Sequence, residues 1–131
     1  MKTKRAKGLF LSLGFCIAAG SLFITNMPAQ AQTVYGKYGY VNGVMEGNIG
    51  RATLRNTSST TRYGTVTIYQ CDANGNNVIY LTSAKRVLDS DSYVAAIKEV
   101  TKSKAYALAS LRKNAASDSA VVDNINTCWL E

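Results

Sequence analysis

The residues best suited to ligand contact lie in the stretch YGKYGYVNG, from Tyr35 to Gly43, which holds three tyrosines, three glycines and one lysine. A tyrosine ring offers broad contact area at a low cost in conformational entropy and keeps one hydroxyl for hydrogen bonding. Tyr38 and Tyr40 are two residues apart and share a face if the segment is a strand, whereas Tyr35 has the opposite phase. The simpler interpretation is that tyrosine is favoured in strands whatever their function.

Basic side chains near this stretch would suit an anionic partner such as a cell-wall polymer. For each arginine the alternative is a solvated position on the outer face of a strand. Together the aromatic and basic residues predict a candidate ligand surface that consists of Tyr35, Lys37, Tyr38, Tyr40, Arg51, Arg55 and Arg62.

Groups that could carry catalysis are few. The chain contains no histidine, which removes the commonest general base and any Ser-His-Asp or Cys-His arrangement within this chain. Asp89 and Asp91, in LDSDSY, could serve as the paired carboxylates of a glycoside hydrolase. A polar turn between two strands explains them more simply. We therefore predict a non-enzymatic protein with no catalytic residues and no cofactor.

The segment DANGNN, residues 72–77, begins like a calcium-binding loop with the pattern D-x-N-x-N. That loop requires a glycine at its sixth position and a carboxylate at its twelfth, where this chain has Asn77 and Ser83. The pattern therefore fails at the positions that set its geometry and charge. We predict a hairpin turn here and no metal site.

Residues 32–131 contain two cysteines, Cys71 and Cys128. An even number of cysteines in an exported chain is typical of a disulfide framework, and only one intramolecular pairing is open to them. A bond between them would close a loop of about 57 residues and stabilise the fold by about 4 kcal/mol. We predict a structural disulfide between Cys71 and Cys128.

The first 31 residues have the three parts of a secretory signal peptide. An apolar run from Gly8 to Ile24 is followed by Ala29-Gln30-Ala31, and it is preceded by a basic head of Lys2, Lys4, Arg5 and Lys7. An uncleaved membrane anchor would need a slightly longer run of about 20 apolar residues. We predict a cleaved signal peptide over residues 1–31 and a single secreted domain over residues 32–131.

The charge of residues 32–131 is modest, because eleven lysines and arginines stand against eight aspartates and glutamates. A net charge of +3 on this segment favours solubility and a mild preference for anionic surfaces. The segment has no long basic run, so we predict no specific binding to nucleic acid. Contact with a membrane is expected only through the signal peptide before its cleavage.

The remaining pattern predicts strands. Arg51–Asn56 (RATLRN) and Thr65–Cys71 (TVTIYQC) alternate apolar and polar residues, and the polar segment between them predicts that the two strands form a hairpin. Asn74-Gly75 predicts a second hairpin with a two-residue type I′ turn. Residues 93–112 are compatible with either a strand or a helix.

These observations predict an all-β fold: a small antiparallel β-sandwich of about seven strands, similar in outline to the immunoglobulin fold, with one disulfide. The predicted function is that of a secreted, non-enzymatic binding module. Its partner would be a cell-surface polymer or another extracellular protein. The alternative is a small secreted antibacterial or toxin-like protein.

Overall fold

The computed structural model describes residues 32–131, which form eight strands in two antiparallel sheets. Sheet 1 has the strand order β1-β2-β3-β6, and sheet 2 has the order β5-β4-β7-β8. The predicted signal peptide, residues 1–31, lies outside the described residues. The strands are β1 (Gln32–Tyr35), β2 (Gly39–Glu46), β3 (Ile49–Asn56), β4 (Arg62–Cys71), β5 (Ile79–Leu88), β6 (Tyr93–Glu99), β7 (Lys104–Arg112) and β8 (Val121–Trp129).

The prediction of an all-β fold is confirmed. Residues 93–112, which the sequence left open between strand and helix, form β6 and β7. Over residues 32–131 there are eight strands rather than about seven. No helix in this part of the chain is long and apolar enough to cross a membrane.

One hydrophobic core takes side chains from both sheets. In β4, every second residue from Arg62 to Gln70 is buried, as expected of a strand with one face against a core. Leu54 of sheet 1 packs directly over Gly64 of sheet 2. This arrangement is consistent with the predicted β-sandwich. The core includes Val41, Ala52, Leu54 and Val94 from sheet 1, and Val66, Ile68, Leu88, Ala107 and Leu111 from sheet 2.

The predicted hairpin between RATLRN and TVTIYQC is wrong. These segments are β3 and β4, and they belong to different sheets: β3 pairs with β2 and β6, and β4 pairs with β5 and β7. The connection between them carries the chain from one sheet to the other. The fully buried Asn56 side chain secures this crossing, since its Nδ2 donates to Thr60 O at 2.8 Å and to Leu88 O at 2.9 Å. Alternation shows which face of a strand is buried, but it does not show which strand is its partner.

The second predicted hairpin, between β4 and β5, is confirmed, although its turn is longer than two residues. Positive φ angles occur at Gly75 (83°) and Asn77 (56°), and not at Asn74. Asp72 organises the loop, because its carboxylate accepts hydrogen bonds from the Asn76 and Asn74 amides and from Asn77 Nδ2. The Asn76 amide and the Asn77 side chain hold the pKa of Asp72 below its usual value.

The predicted disulfide is also wrong, because Cys71 and Cys128 are free and far apart. They lie on the two strands that flank β7, where Cys71 is opposite Lys104 and Cys128 is opposite Ala107. Two strand spacings and three residues along β7 separate them by about 14 Å. A disulfide requires Cα atoms within about 7 Å.

The two cysteines also lie on opposite faces of sheet 2. Cys128 belongs to the core. Cys71 directly follows Gln70, so it has the phase of Tyr69 on the outer face. The number of cysteines suggested a disulfide, but β7 lies between the two strands that carry them and keeps the thiols apart.

We expect both thiols to be free and unreactive in purified residues 32–131, which contain both sheets and the core. Both cysteines are fully buried, and burial raises the pKa of the Cys128 thiol to about 11, so little thiolate is present at neutral pH. A thiol reagent should react slowly with the folded protein and titrate two thiols after unfolding. Dithiothreitol should leave the free energy of unfolding unchanged. If dithiothreitol instead lowers the free energy of unfolding by about 4 kcal/mol, the disulfide between Cys71 and Cys128 is present in solution.

Candidate functional site

Three of the predicted ligand residues lie together on the outer face of sheet 1. Tyr40 on β2 is opposite Tyr35 on β1 and Arg55 on β3, and Arg55 is opposite Tyr93 on β6. The ring centroids of Tyr35 and Tyr40 are 5.6 Å apart, and the Arg55 guanidinium lies 5.3 Å from the centroid of the Tyr93 ring. We call these four side chains the sheet 1 row. Sequence reasoning missed Tyr93, since only the pairing of β3 with β6 brings it here.

Tyr38 is not part of this row. It lies in the turn ahead of β2, its backbone amide donates to Asp123 Oδ2 at 2.6 Å, and its side chain packs against the core. The expected phase of these tyrosines is therefore wrong: Tyr40 shares a face with Tyr35, its partner across β1 and β2, and not with Tyr38. Lys37, in the same turn, is exposed and lies 5.8 Å from the Tyr38 ring centroid.

Arg62 is a buried cation and not a surface one. The residue is only 8% exposed, and its guanidinium lies 4.2 Å from the centroid of the Tyr38 ring. Arg62 Nε donates to Ser58 Oγ at 2.9 Å, and Nη1 donates to Lys113 O at 3.0 Å. These contacts fix the start of β4 to the segment that follows β7, and they occupy the side chain that the sequence had suggested for an anionic ligand.

Arg51 is exposed but stands apart from the sheet 1 row. Its Nη2 forms an ion pair with Glu46 Oε1 at 3.1 Å, and water screens this pair because both side chains are well exposed. Four residues of extended strand place it about 13 Å from Arg55. Of the seven predicted residues, the structure thus brings together Tyr35, Tyr40 and Arg55.

The longer aromatic surface lies on the outer face of sheet 2. Tyr69 on β4 is opposite Tyr80 on β5 and Tyr106 on β7, and Tyr106 is opposite Trp129 on β8. Successive ring centroids are 6.2, 5.4 and 5.1 Å apart. At the β8 end, Lys104 Nζ lies 4.8 Å from the Trp129 ring centroid. We call Tyr80, Tyr69, Tyr106 and Trp129 the sheet 2 row.

The rings of the sheet 2 row stand against one another. Tyr69 and Tyr106 stack with an interplanar angle of 23°, so their inner faces cover each other and their edges remain for outside contact. Burial raises the pKa of Tyr106, and the neighbouring Cys71 and Tyr69 raise it further. The Tyr106 hydroxyl is therefore a hydrogen-bond donor at neutral pH. Tyr80, at the edge of the sheet, is the most open member at 58% exposure.

Sequence reasoning missed the sheet 2 row. A signal for it exists, because each member stands at an outward-facing position of a strand. The sequences of the four strands nonetheless give no information on strand order or register, and the four residues are spread from position 69 to position 129. Only the pairings of β5, β4, β7 and β8 place them at one level.

The acidic candidates of the sequence lie in connections between strands. Asp89, after β5, accepts a hydrogen bond from Thr61 Oγ1 at 3.1 Å through Oδ1, and Asp91 has a positive φ of 67°. This is the geometry of a polar turn. Among residues 32–131, no three or more side chains of His, Cys, Asp and Glu gather in a way that could hold a metal ion.

No protein-family model and no curated protein matches this chain.

Proposed function

We propose that the protein is a secreted, non-enzymatic binding module that contacts a cell-surface polymer or another extracellular protein through the outer face of sheet 2. The sheet 2 row is the observation that carries this proposal. A sheet in a sandwich must present apolar side chains on its inner face only, whereas this one also aligns four aromatic side chains on its outer face. Outward clusters of large apolar side chains mark interaction surfaces more often than scattered single residues do.

Charge supports the same assignment. Lys104 at the end of the sheet 2 row adds a cation beside Trp129. The net charge of +3 over residues 32–131 gives a weak preference for anionic partners. The N-terminal pattern of a basic head, an apolar run and Ala29-Gln30-Ala31 supports export, so the partner would be met outside the cell.

The order of the strands supports the immunoglobulin-like outline. The chain crosses between the sheets after β3, β5 and β6, so that β2, β3 and β6 lie together and β4, β5, β7 and β8 form the other sheet. Such crossings are the Greek-key connections of immunoglobulin-type sandwiches. Many unrelated binding proteins use this architecture, so the assignment of function depends on the aromatic face and not on the fold.

The antibacterial or toxin-like alternative has less support. A membrane-active toxin would be favoured if residues 93–112 formed an amphipathic helix, and they form two strands of opposite sheets instead. No other feature of residues 32–131 favours it over binding. It is carried forward as one outcome of the test below.

The proposal is tested with purified residues 32–131 added to a panel of whole bacteria, with retention on the cells and survival of the cells scored together. We expect retention without killing. Replacing Tyr106 and Trp129 by Ala should reduce retention at least about tenfold, because aromatic anchors dominate contact energies. The matched control replaces Tyr35 and Tyr40 of the sheet 1 row by Ala, which should leave retention unchanged. Circular dichroism and thermal unfolding confirm that each variant is folded.

The other outcomes are equally informative. Loss of retention only in the sheet 1 variant would move the binding face to the surface predicted around Tyr40. Killing of the cells would favour the toxin-like alternative. Absence of retention on every species, together with no partner captured from the secreted fraction of the producing organism, would contradict the proposal.

A further inference from the structure

A pocket opens on the same outer face of sheet 2, beside a β-bulge. Ala107 of β7 is opposite Cys128, but Ala109 is opposite Ile125, so β8 carries an extra residue between these pairs. Bulges of this kind open the ladder locally, re-aim side chains and are common beside functional sites. The pocket has a volume of about 150 Å³ and is lined by Thr65, Leu108, Ala109, Ser110 and Asn124.

The polar side chains of the pocket form one row across three strands. Ser110 of β7 is opposite Thr65 of β4 and Asn124 of β8. These three side chains form no hydrogen bond with one another or with any other residue of the segment 32–131. By contrast, the hydroxyls of Thr67 and Ser83, one row further along the sheet, are 3.0 Å apart and bond to each other. No residue of the described part of the chain therefore occupies these two hydroxyls and this amide, and they can bond to a ligand.

We infer that this pocket binds one neutral sugar unit of a glycan, an assignment that rests on the proposed function and names the class of polymer. Hydroxyl and amide groups both donate and accept hydrogen bonds, as the hydroxyls of a sugar do. No charged side chain lines the pocket. Leu108, which is 39% exposed, supplies an apolar contact for the C–H face of the sugar ring.

Size and position agree with this assignment. Pockets for larger ligands usually exceed about 300 Å³, so 150 Å³ suits a single small polar unit. On β7, Tyr106 precedes Leu108 by two residues, so the two lie about 7 Å apart on the same face. A glycan chain held in the pocket would therefore continue over Leu108 onto Tyr106 and Trp129, which joins the pocket and the sheet 2 row in one binding face.

The test measures binding of residues 32–131 to soluble polysaccharides by affinity electrophoresis. The neutral probes are a β-glucan, an α-glucan and a mannan, and a polyuronate serves as the anionic probe. We expect binding to at least one neutral probe. Each lost hydrogen bond should weaken that binding about two- to tenfold, so the combined variant Thr65→Val, Ser110→Ala and Asn124→Ala should lose at least about tenfold.

The matched control is Thr53→Val, which removes a hydroxyl from an outward position of a central strand of sheet 1 and should leave binding unchanged. Unaltered binding by the combined variant would overturn the pocket assignment. Binding to the polyuronate alone, or to none of the polysaccharides, would overturn the ligand class. Retention on whole cells separates these failures from a failure of the proposed function, since a protein that is retained on cells but binds no neutral glycan contradicts only the assignment made here.

Discussion

Replacing Leu54 by Ala is expected to lower the free energy of unfolding by about 3 kcal/mol, within the range known for fully buried leucines. Leu54 has no exposed surface and lies on β3, one of the two central strands of sheet 1. It is one of the side chains that join the sheets, because its Cδ2 faces Gly64 of sheet 2. Truncation removes apolar surface from the core and leaves a cavity that the two rigid sheets cannot close. Urea unfolding followed by fluorescence measures the effect.

The control is Leu108→Ala, the same truncation at an outward position that is 39% exposed, which should cost below about 1 kcal/mol. A cost at Leu54 no greater than at Leu108 would contradict the proposed packing of the two sheets.

A double-mutant cycle with Gly64 makes the test more specific. A Cβ atom at Gly64 would lie 3.0 Å from Leu54 Cδ2 and 2.6 Å from Leu88 Cδ1, so Gly64→Ala alone should be destabilising by about 1–3 kcal/mol. In the Leu54→Ala background the first of these close contacts is absent. The two changes together should therefore cost less than their sum, by about 0.5 kcal/mol or more. Strict additivity would mean that the two residues do not touch.

Much of the fold could be predicted from local pattern. Alternation in Arg51–Asn56 and Thr65–Cys71 is a property of each strand by itself, and both segments are strands. The Asn74-Gly75 turn connects neighbours in sequence, so its hairpin could also be predicted. Its exact turn type could not, because the Asp72 carboxylate organises a longer loop than two residues.

Long-range pairing could not be predicted in the same way. The sequence gives no distance between Cys71 and Cys128, and their disulfide was inferred from the number of cysteines and the expected compartment. The sheet 2 row could not be predicted for the same reason, since Tyr69 and Tyr106 become neighbours only when β4 and β7 pair. Of the residues in the candidate ligand surface, strand pairing brings together Tyr35, Tyr40 and Arg55.

Arg62 and Arg51 were equal candidates for ligand contact on sequence grounds, but the structure gives them different environments. Arg62 is 8% exposed and donates to Ser58 Oγ and Lys113 O, whereas the Arg51 side chain is 45% exposed and pairs with Glu46 at the surface. Replacing Arg62 by Ala should therefore lower the free energy of unfolding by about 2–4 kcal/mol, because the carbonyl of residue 113 loses a charged donor and the Tyr38 ring loses its covering cation. Arg51→Ala should cost below about 1 kcal/mol.

The substitution Arg62→Lys distinguishes the guanidinium from the charge alone. A lysine keeps a cation near the Tyr38 ring, but its single ammonium cannot reproduce the fork that bonds to both Ser58 Oγ and Lys113 O. We expect its stability, measured by urea unfolding, to lie between those of the wild type and Arg62→Ala. If Arg62→Ala is no less stable than Arg51→Ala, then the Arg62 side chain is not fixed inside the protein in solution. It would then again be a candidate for contact with an anionic partner.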